Sequence, residues 1–198
     1  MEYIAHYQSP LGPIFLAADY LGLTGLWFEN QQYFPSCPEM EWEEGELPVF
    51  ETTRYWLDLY FAGKQPDFQI PLHFIGTEFQ KEVWGILNRI PYGQTTTYGE
   101  IARQIAIKRG VNRMSAQAVG GAVGHNKISI IVPCHRVVGT GGNLTGYAGG
   151  IDKKIELLTL ERVDMTRFFC AEKGKGKELQ ALNAEIFTSL SNRGMIVP

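Results

Sequence analysis

The sequence predicts an α+β protein in two parts, a small strand-rich N-terminal segment followed by a mainly helical one. Three observations carry this. Residues 2–28 contain short β-rich runs separated by turn residues. From Thr77 onward the apolar spacing changes to that of helices with short links. The charge changes sign at the same place: residues 1–76 hold two basic residues against eleven acidic ones, and residues 77–136 hold eight against three. The whole chain of 198 residues is slightly acidic, net −3, so a polyanion would meet its middle and avoid its start.

In order, residues 2–8 and 13–19 read as strands joined by the turn Ser9-Pro10-Leu11-Gly12, and Leu23 to Phe28 as a third strand. The acidic stretch from Cys37 to Glu46 reads as an exposed loop. Pro48 opens a helix with Phe50, Arg54, Leu57 and Phe61 on one face, ended by Gly63. Phe68, Ile70, Leu72 and Phe74 alternate as on a strand, which Pro71 would confine to an edge. His6 and His73 lack metal-ligand spacing, and no chemistry is legible in this half.

Thr77 and Gln80 form a capping-box signature, and Phe79, Val83, Ile86, Leu87 and Ile90 continue as a helical stripe up to Pro91-Tyr92-Gly93. Thr97 and Glu100 form a second box, with Ile101 and Ile105 facing inward until Gly110. Ser115 caps a third helix, Ala116 to about Gly124. Helix, turn, helix with short links is a helix-turn-helix arrangement. The third helix is thin: Ala116, Ala118, Gly120, Gly121 and Ala122 carry almost no side chain. Glycine costs about 1 kcal/mol in a helix interior, so two in a row indicate a need for close approach, either to another helix or to a nucleic-acid groove.

Ile130 to Val132 read as a short buried strand, which Pro133 terminates. Cys134 and His135 follow at once. A thiol beside an imidazole is a route to a nucleophilic thiolate, although a buried cysteine is also a common small core residue. A glycine-rich loop, 140–150, follows as a mobile wall or lid, with Tyr147 its one aromatic residue. A final helix begins near Asp152, with Ile155, Leu158 and Val163 along one side and Glu161 near its end. Residues 164–198 contain the basic run Lys173 to Lys177 and a modest helical pattern from Glu178 to Leu190, to which no role attaches.

Cys37, Cys134 and Cys170 are widely spaced and odd in number, which suits a reducing cytoplasm rather than a disulfide framework. No CxxC pair supports zinc, no apolar run is long enough for a membrane span, and no signal-peptide pattern opens the sequence.

The run Ile131-Val132-Pro133-Cys134-His135-Arg136-Val137-Val138 resembles the acceptor signature of the O6-alkylguanine-DNA alkyltransferases, the methylated-DNA–protein-cysteine methyltransferases, and the motif match extends over 77–163. The resemblance implies a ribonuclease-H-like sheet domain over 1–76, a winged helix-turn-helix DNA-binding and alkyl-acceptor domain over 77–163, and an extension over 164–198. It implies a monomer that binds duplex DNA through the minor groove, flips the damaged nucleotide and needs no cofactor. Cys134 would accept the alkyl group from guanine O6, once per molecule, with O4-methylthymine a further substrate. His135 would be the base, acting through a water because neighbouring side chains on extended backbone point apart, with Glu161 orienting the imidazole. Asn126 would support the active-site turn, and Tyr98 would rotate the nucleotide and donate to the base. Substrate binding would fall to Tyr147, Ala148, the Val137 carbonyl, Arg136, Ser115 and Gln117. From the residues alone, Tyr98 reads as a helix-start aromatic, Glu161 as a solvent-facing helix residue and Arg136 as a salt-bridge partner. Gln117 stands where many members of the family carry an arginine that enters the base stack, so Gln117→Arg is expected to tighten duplex binding.

Two other readings stay open at this level. One is an alkyltransferase-like module that finds lesions and transfers nothing, against which the presence of Cys134 counts. The other is a Cys-His hydrolase of acyl substrates, which leaves the thin helix unexplained.

Overall fold

The computed structural model describes residues 2–35, 42–170 and 188. The tail helix expected over 178–190 and half of the Cys37–Glu46 stretch lie outside them; in the other half Trp42–Glu44 form a short strand rather than the expected loop, paired parallel with residues 2–4. The N-terminal segment is a four-stranded sheet, β1 (Glu2–Ser9), β2 (Gly12–Asp19), β3 (Gly22–Phe28) and β4 (Trp42–Glu44), in the order β3-β2-β1-β4. β1 and β3 pair antiparallel with β2, and β4 adds parallel to β1. One sheet face is covered by α1 (Pro48–Phe61), which starts on its proline because that position needs no N–H. Its inward stripe is Phe50, Thr53, Trp56, Leu57, Tyr60 and Phe61; the expected Arg54 lies outside it, in an ion pair with Glu46.

Every residue of β3 is buried although β3 ends the sheet, because other segments cover its outer side. At one end Leu23 bridges to Leu72, and at the other Leu26 exchanges backbone hydrogen bonds with Lys127 and Ser129 of the helical segment. The 68–74 stretch makes only that bridge and no regular strand: Pro71 supplies no N–H, and its carbonyl accepts from Leu23. Core residues from both segments form one contiguous apolar cluster.

The second segment holds α2 (Glu78–Leu87), α3 (Tyr98–Arg109), α4 (Ala116–Gly124) and α5 (Ile151–Leu160). The Thr77–Gln80 capping box is fully formed. At α3 only half the expected box exists: Thr97 accepts from the Glu100 N–H, but the Glu100 carboxylate is taken by Arg103. Gly110 ends α3 in the left-handed conformation at φ 64°, as a C-terminal glycine does. Ser115 caps α4 through the Ala118 N–H at 3.2 Å. A two-stranded parallel ribbon, β5 (Thr96–Thr97) with β6 (Val137–Val138), ties the start of α3 to the end of the acceptor segment. Among the described residues, no helix is long and apolar enough to cross a membrane.

Candidate active site

The acceptor segment departs from expectation. Ile130 to Val132 form no strand; the chain turns there, with Ile130 at φ 66°. A β-branched residue in that region is strained by roughly 1–3 kcal/mol and persists only where its surroundings hold it. The Asn126 side chain holds it here. Its Nδ2 donates to the carbonyls of Ile128 at 3.2 Å and Val132 at 2.8 Å, and its Oδ1 accepts from the Ile128 N–H at 3.1 Å. These bonds replace a ladder, so an apolar run that resembles a strand folds into a turn. Pro133 sits in an inverse γ-turn, φ −81° and ψ 68°, closed by the Cys134 N–H on the Val132 carbonyl at 2.8 Å. Cys134, His135 and Arg136 then form one turn of 3₁₀ helix, so the argument from extended backbone does not hold.

Cys134 and His135 are both buried. Burial pushes the Cys134 thiol up, against the pull of the Asn126 amide and the Lys154 charge, so the resting group is a thiol. Burial likewise pushes His135 down, more than the nearby Glu161 carboxylate lifts it, so the imidazole is neutral. Its Nε2 lies 2.7 Å from Glu161 Oε1. A carboxylate only accepts, so Nε2 carries the proton and Nδ1 is left as the basic nitrogen.

Glu161 is 2% exposed, which removes the solvent-facing reading. It accepts from four partners: His135, the Tyr60 hydroxyl at 2.7 Å, Arg136 through two nitrogens at 2.8 and 2.9 Å, and the Gly93 N–H at 3.2 Å. Burial alone would raise its carboxyl; His135 and the Arg136 guanidinium outweigh that and hold it well below the usual range. Arg136 spends its remaining contact on the Ile90 carbonyl at 2.6 Å. Its guanidinium is thus turned toward Glu161.

The glycine-rich loop packs over this centre. Tyr147 is buried edge-on to His135, ring centroids 6.3 Å apart. The Tyr98 hydroxyl is 3.2 Å from the Thr145 carbonyl and 3.3 Å from that of Gly146, where a Cβ would come within 2.8 Å of it. Burial lifts Tyr98 to about 12, so it remains a donor. The Val137 carbonyl, expected to read a guanine amino group, already accepts from Lys154 at 2.6 Å. The Ala148 carbonyl accepts from Gln32.

Ser115 and Gln117 stand apart, exposed on α4 with Ala116, Ala118 and Gly121. A Cβ at Gly121 would meet nothing within 4 Å, whereas one at Gly120 would touch the Tyr98 ring at 3.8 Å. Gly121 is therefore not small for the sake of a protein neighbour.

Two residues absent from the sequence reading belong to the centre. Tyr60 brings the N-terminal segment to Glu161, correcting the view that this half carries no chemistry. Its only signal is a place on the apolar face of α1, which says nothing about its hydroxyl. Lys154 is wholly buried and donates to the carbonyls of Val137 and Thr145 at 2.6 and 2.7 Å. Burial lowers it to about 8. It had a signal: Ile151, Lys154, Ile155 and Leu158 share one helical stripe, and a lysine there is out of place.

The chain matches two family models, the ribonuclease-like domain of 6-O-methylguanine DNA methyltransferase over residues 3–74 and its DNA binding domain over 78–163. A methylated-DNA–protein-cysteine methyltransferase of Methanosarcina acetivorans is 48% identical over 159 residues, covering 80% of this chain and 97% of that protein. One from Haemophilus influenzae is 42% identical over 163 residues, covering 81% and 87%. Among solved structures, Mycobacterium tuberculosis OGT in complex with DNA has a TM-score of 0.70 at 42% identity, covering 85% of this chain and 96% of that one.

Proposed function

The chain belongs to the 6-O-methylguanine DNA methyltransferase family, and from that premise we propose which of its atoms perform the reaction. Its activity is direct-reversal DNA repair: the methyl group of O6-methylguanine in DNA passes irreversibly to a cysteine of the protein itself, once per molecule.

Cys134 is that acceptor. The observation that carries this is the burial of its thiol beside His135, whose free Nδ1 is kept basic by the Glu161 contact on Nε2. An alkylated guanine inside a duplex is out of reach, so the nucleotide is flipped toward the pocket beneath the glycine-rich loop. His135 Nδ1 takes the thiol proton, directly or through a water. Glu161, held by Arg136 and Tyr60, steadies the imidazolium that forms. The Cys134 sulfur then bonds to the methyl carbon as the C–O6 bond breaks, and the electron pair leaves on the guanine. The Tyr98 hydroxyl, whose one proton rests on the loop carbonyls, turns it toward that base once the nucleotide enters, and Tyr147 and Ala148 wall it. α4 enters the minor groove with Ser115 and Gln117 toward the DNA, and its small residues let the backbone approach. A reducing cytoplasm suits an acceptor that must stay a free thiol until it reacts.

The test is single-turnover reaction with a duplex carrying methyl-labelled O6-methylguanine, followed by peptide mapping. One label per protein on Cys134, and none in Cys134→Ser, is the expected result. Label on another residue, or tight binding with no label, sinks the assignment. Because the lowered His135 stays neutral through physiological pH, the rate holds there and is lost only as acid protonates the imidazole.

A further inference from the structure

The turn after β3 contains an exposed aromatic that the reaction does not use. Tyr33 is 53% exposed and holds a left-handed backbone at φ 62°. Its ring stacks on His125, centroids 4.1 Å apart and planes 26° from parallel. A Cβ at Gly124 would lie 3.9 Å from it. His125 is exposed at the end of α4, and its Nδ1 donates to the Gly121 carbonyl at 2.7 Å, which fixes the ring under Tyr33.

The stack continues the DNA-facing side of α4. Gln117, Gly121 and His125 follow at four-residue steps, so they lie on one side of the helix, and all three are exposed. Eight residues at 1.5 Å each put His125 about 12 Å from Gln117, roughly twice the 6 Å width of the minor groove. A contact there falls on the sugar–phosphate rail and not on base edges. The turn that carries Tyr33 is also firmly placed. Gln31 Oε1 accepts from the Phe28 N–H and the Ser129 hydroxyl, and the Gln32 N–H donates to Ala148. Three successive residues thus reach the acceptor segment, the pocket loop and the end of α4.

Resting on the DNA-repair reading above, we propose that the Tyr33–His125 stack is a second DNA subsite, supplied half by the N-terminal segment, which holds the sugar–phosphate backbone beyond the end of α4. The Tyr33 hydroxyl is the donor offered to the phosphate, with the stacked rings against deoxyribose. Stacking fixes both rings before DNA arrives.

The experiment compares two quantities in the full chain: the Kd for an undamaged duplex, and the rate of methyl transfer from free O6-methylguanine base, which needs no DNA contact. Tyr33→Ala is expected to raise the Kd about tenfold, the size of one hydrogen bond to a charged group, with the free-base rate retained. Tyr33→Phe keeps the stack and loses the hydroxyl, so its Kd falls between the two. His125→Ala tests the other ring in the same way should Tyr33→Ala not fold. An unchanged Kd in these variants overturns the proposal, and so does a parallel loss of binding and free-base transfer, which would mark a purely structural stack. Failure of the underlying reading would look different: a wild-type protein that binds duplex and acquires no methyl.

Discussion

The Glu161 cluster and the outer face of α4 lie in the same segment and are built on opposite terms. Around Glu161 every oxygen is claimed, by Tyr60, His135, Arg136 and Gly93, and the carboxylate is sealed from water. On α4 the exposed residues are alanines, a glutamine and a glycine that touch little. The chemistry is assembled before substrate arrives, whereas recognition is left bare for a partner to complete. A site of the first kind is fragile to any single loss. One of the second kind tolerates change in stability and pays for it in binding.

Glu161→Gln should break the first kind hardest. It leaves the Arg136 guanidinium buried without its counter-charge, a loss of about 3–5 kcal/mol in denaturant unfolding. It also removes the anion behind His135, and single-turnover transfer should fall by about a hundredfold or more. Native-like stability with a normal rate would show that the cluster is ornamental. The depressed Glu161 carboxyl sets a sign as well: its stabilisation is complete above the unfolded carboxylate pKa of about 4.3 and fades as acid approaches the lower folded value.

Lys154 gives the next largest effect, with a window of its own. Folding lowers it from 10.5 to about 8, so between those values the unfolded chain binds more protons. Stability from this group therefore rises with pH across about 8 to 10.5, by roughly 3 kcal/mol in all. Lys154→Met should lose that rise, read as the difference between the two proteins' unfolding free energies at pH 7.5 and 10. An identical slope in both would exclude the lysine as its source.

Tyr60→Phe is milder. One donor to Glu161 disappears without a cavity, costing about 1–2 kcal/mol of stability and a several-fold loss of rate. The smallest effect tests the second kind of site. Gly121→Ala should gain about 0.5–1 kcal/mol in thermal unfolding, since its methyl meets nothing in the protein, while duplex binding weakens. Gain without loss of binding would mean that the bare face contacts no DNA.

This contrast also explains what was legible in the sequence. The β-rich start, the Thr77 capping box and the caps at Ser115 and Gly110 are local signals, and each stands where its residues put it. The acceptor turn is not legible because Ile130 to Val132 have strand character, and the Asn126 amide that overrides it, though only six residues from Val132, belongs to no pattern that announces the contact. Cys134 and His135 are adjacent and visible as a pair. Glu161 lies 26 residues from His135 and was named by resemblance, since nothing local says which way a helix-end carboxylate faces. Tyr60 lies 101 residues from Glu161, and no short-range pattern reports a contact that far away. Lys154 is legible as a cation on an apolar stripe.

β3 has one more consequence. It is a wholly buried strand, Gly-Leu-Thr-Gly-Leu-Trp-Phe, without a single charge, and its outer side is closed by residues 71–73 and 127–129. Those last residues lead directly into the segment that must swell by a methyl group when repair is done. If a spent molecule loosens there, it unveils a sticky, uncharged ribbon of the sort that nucleates self-association.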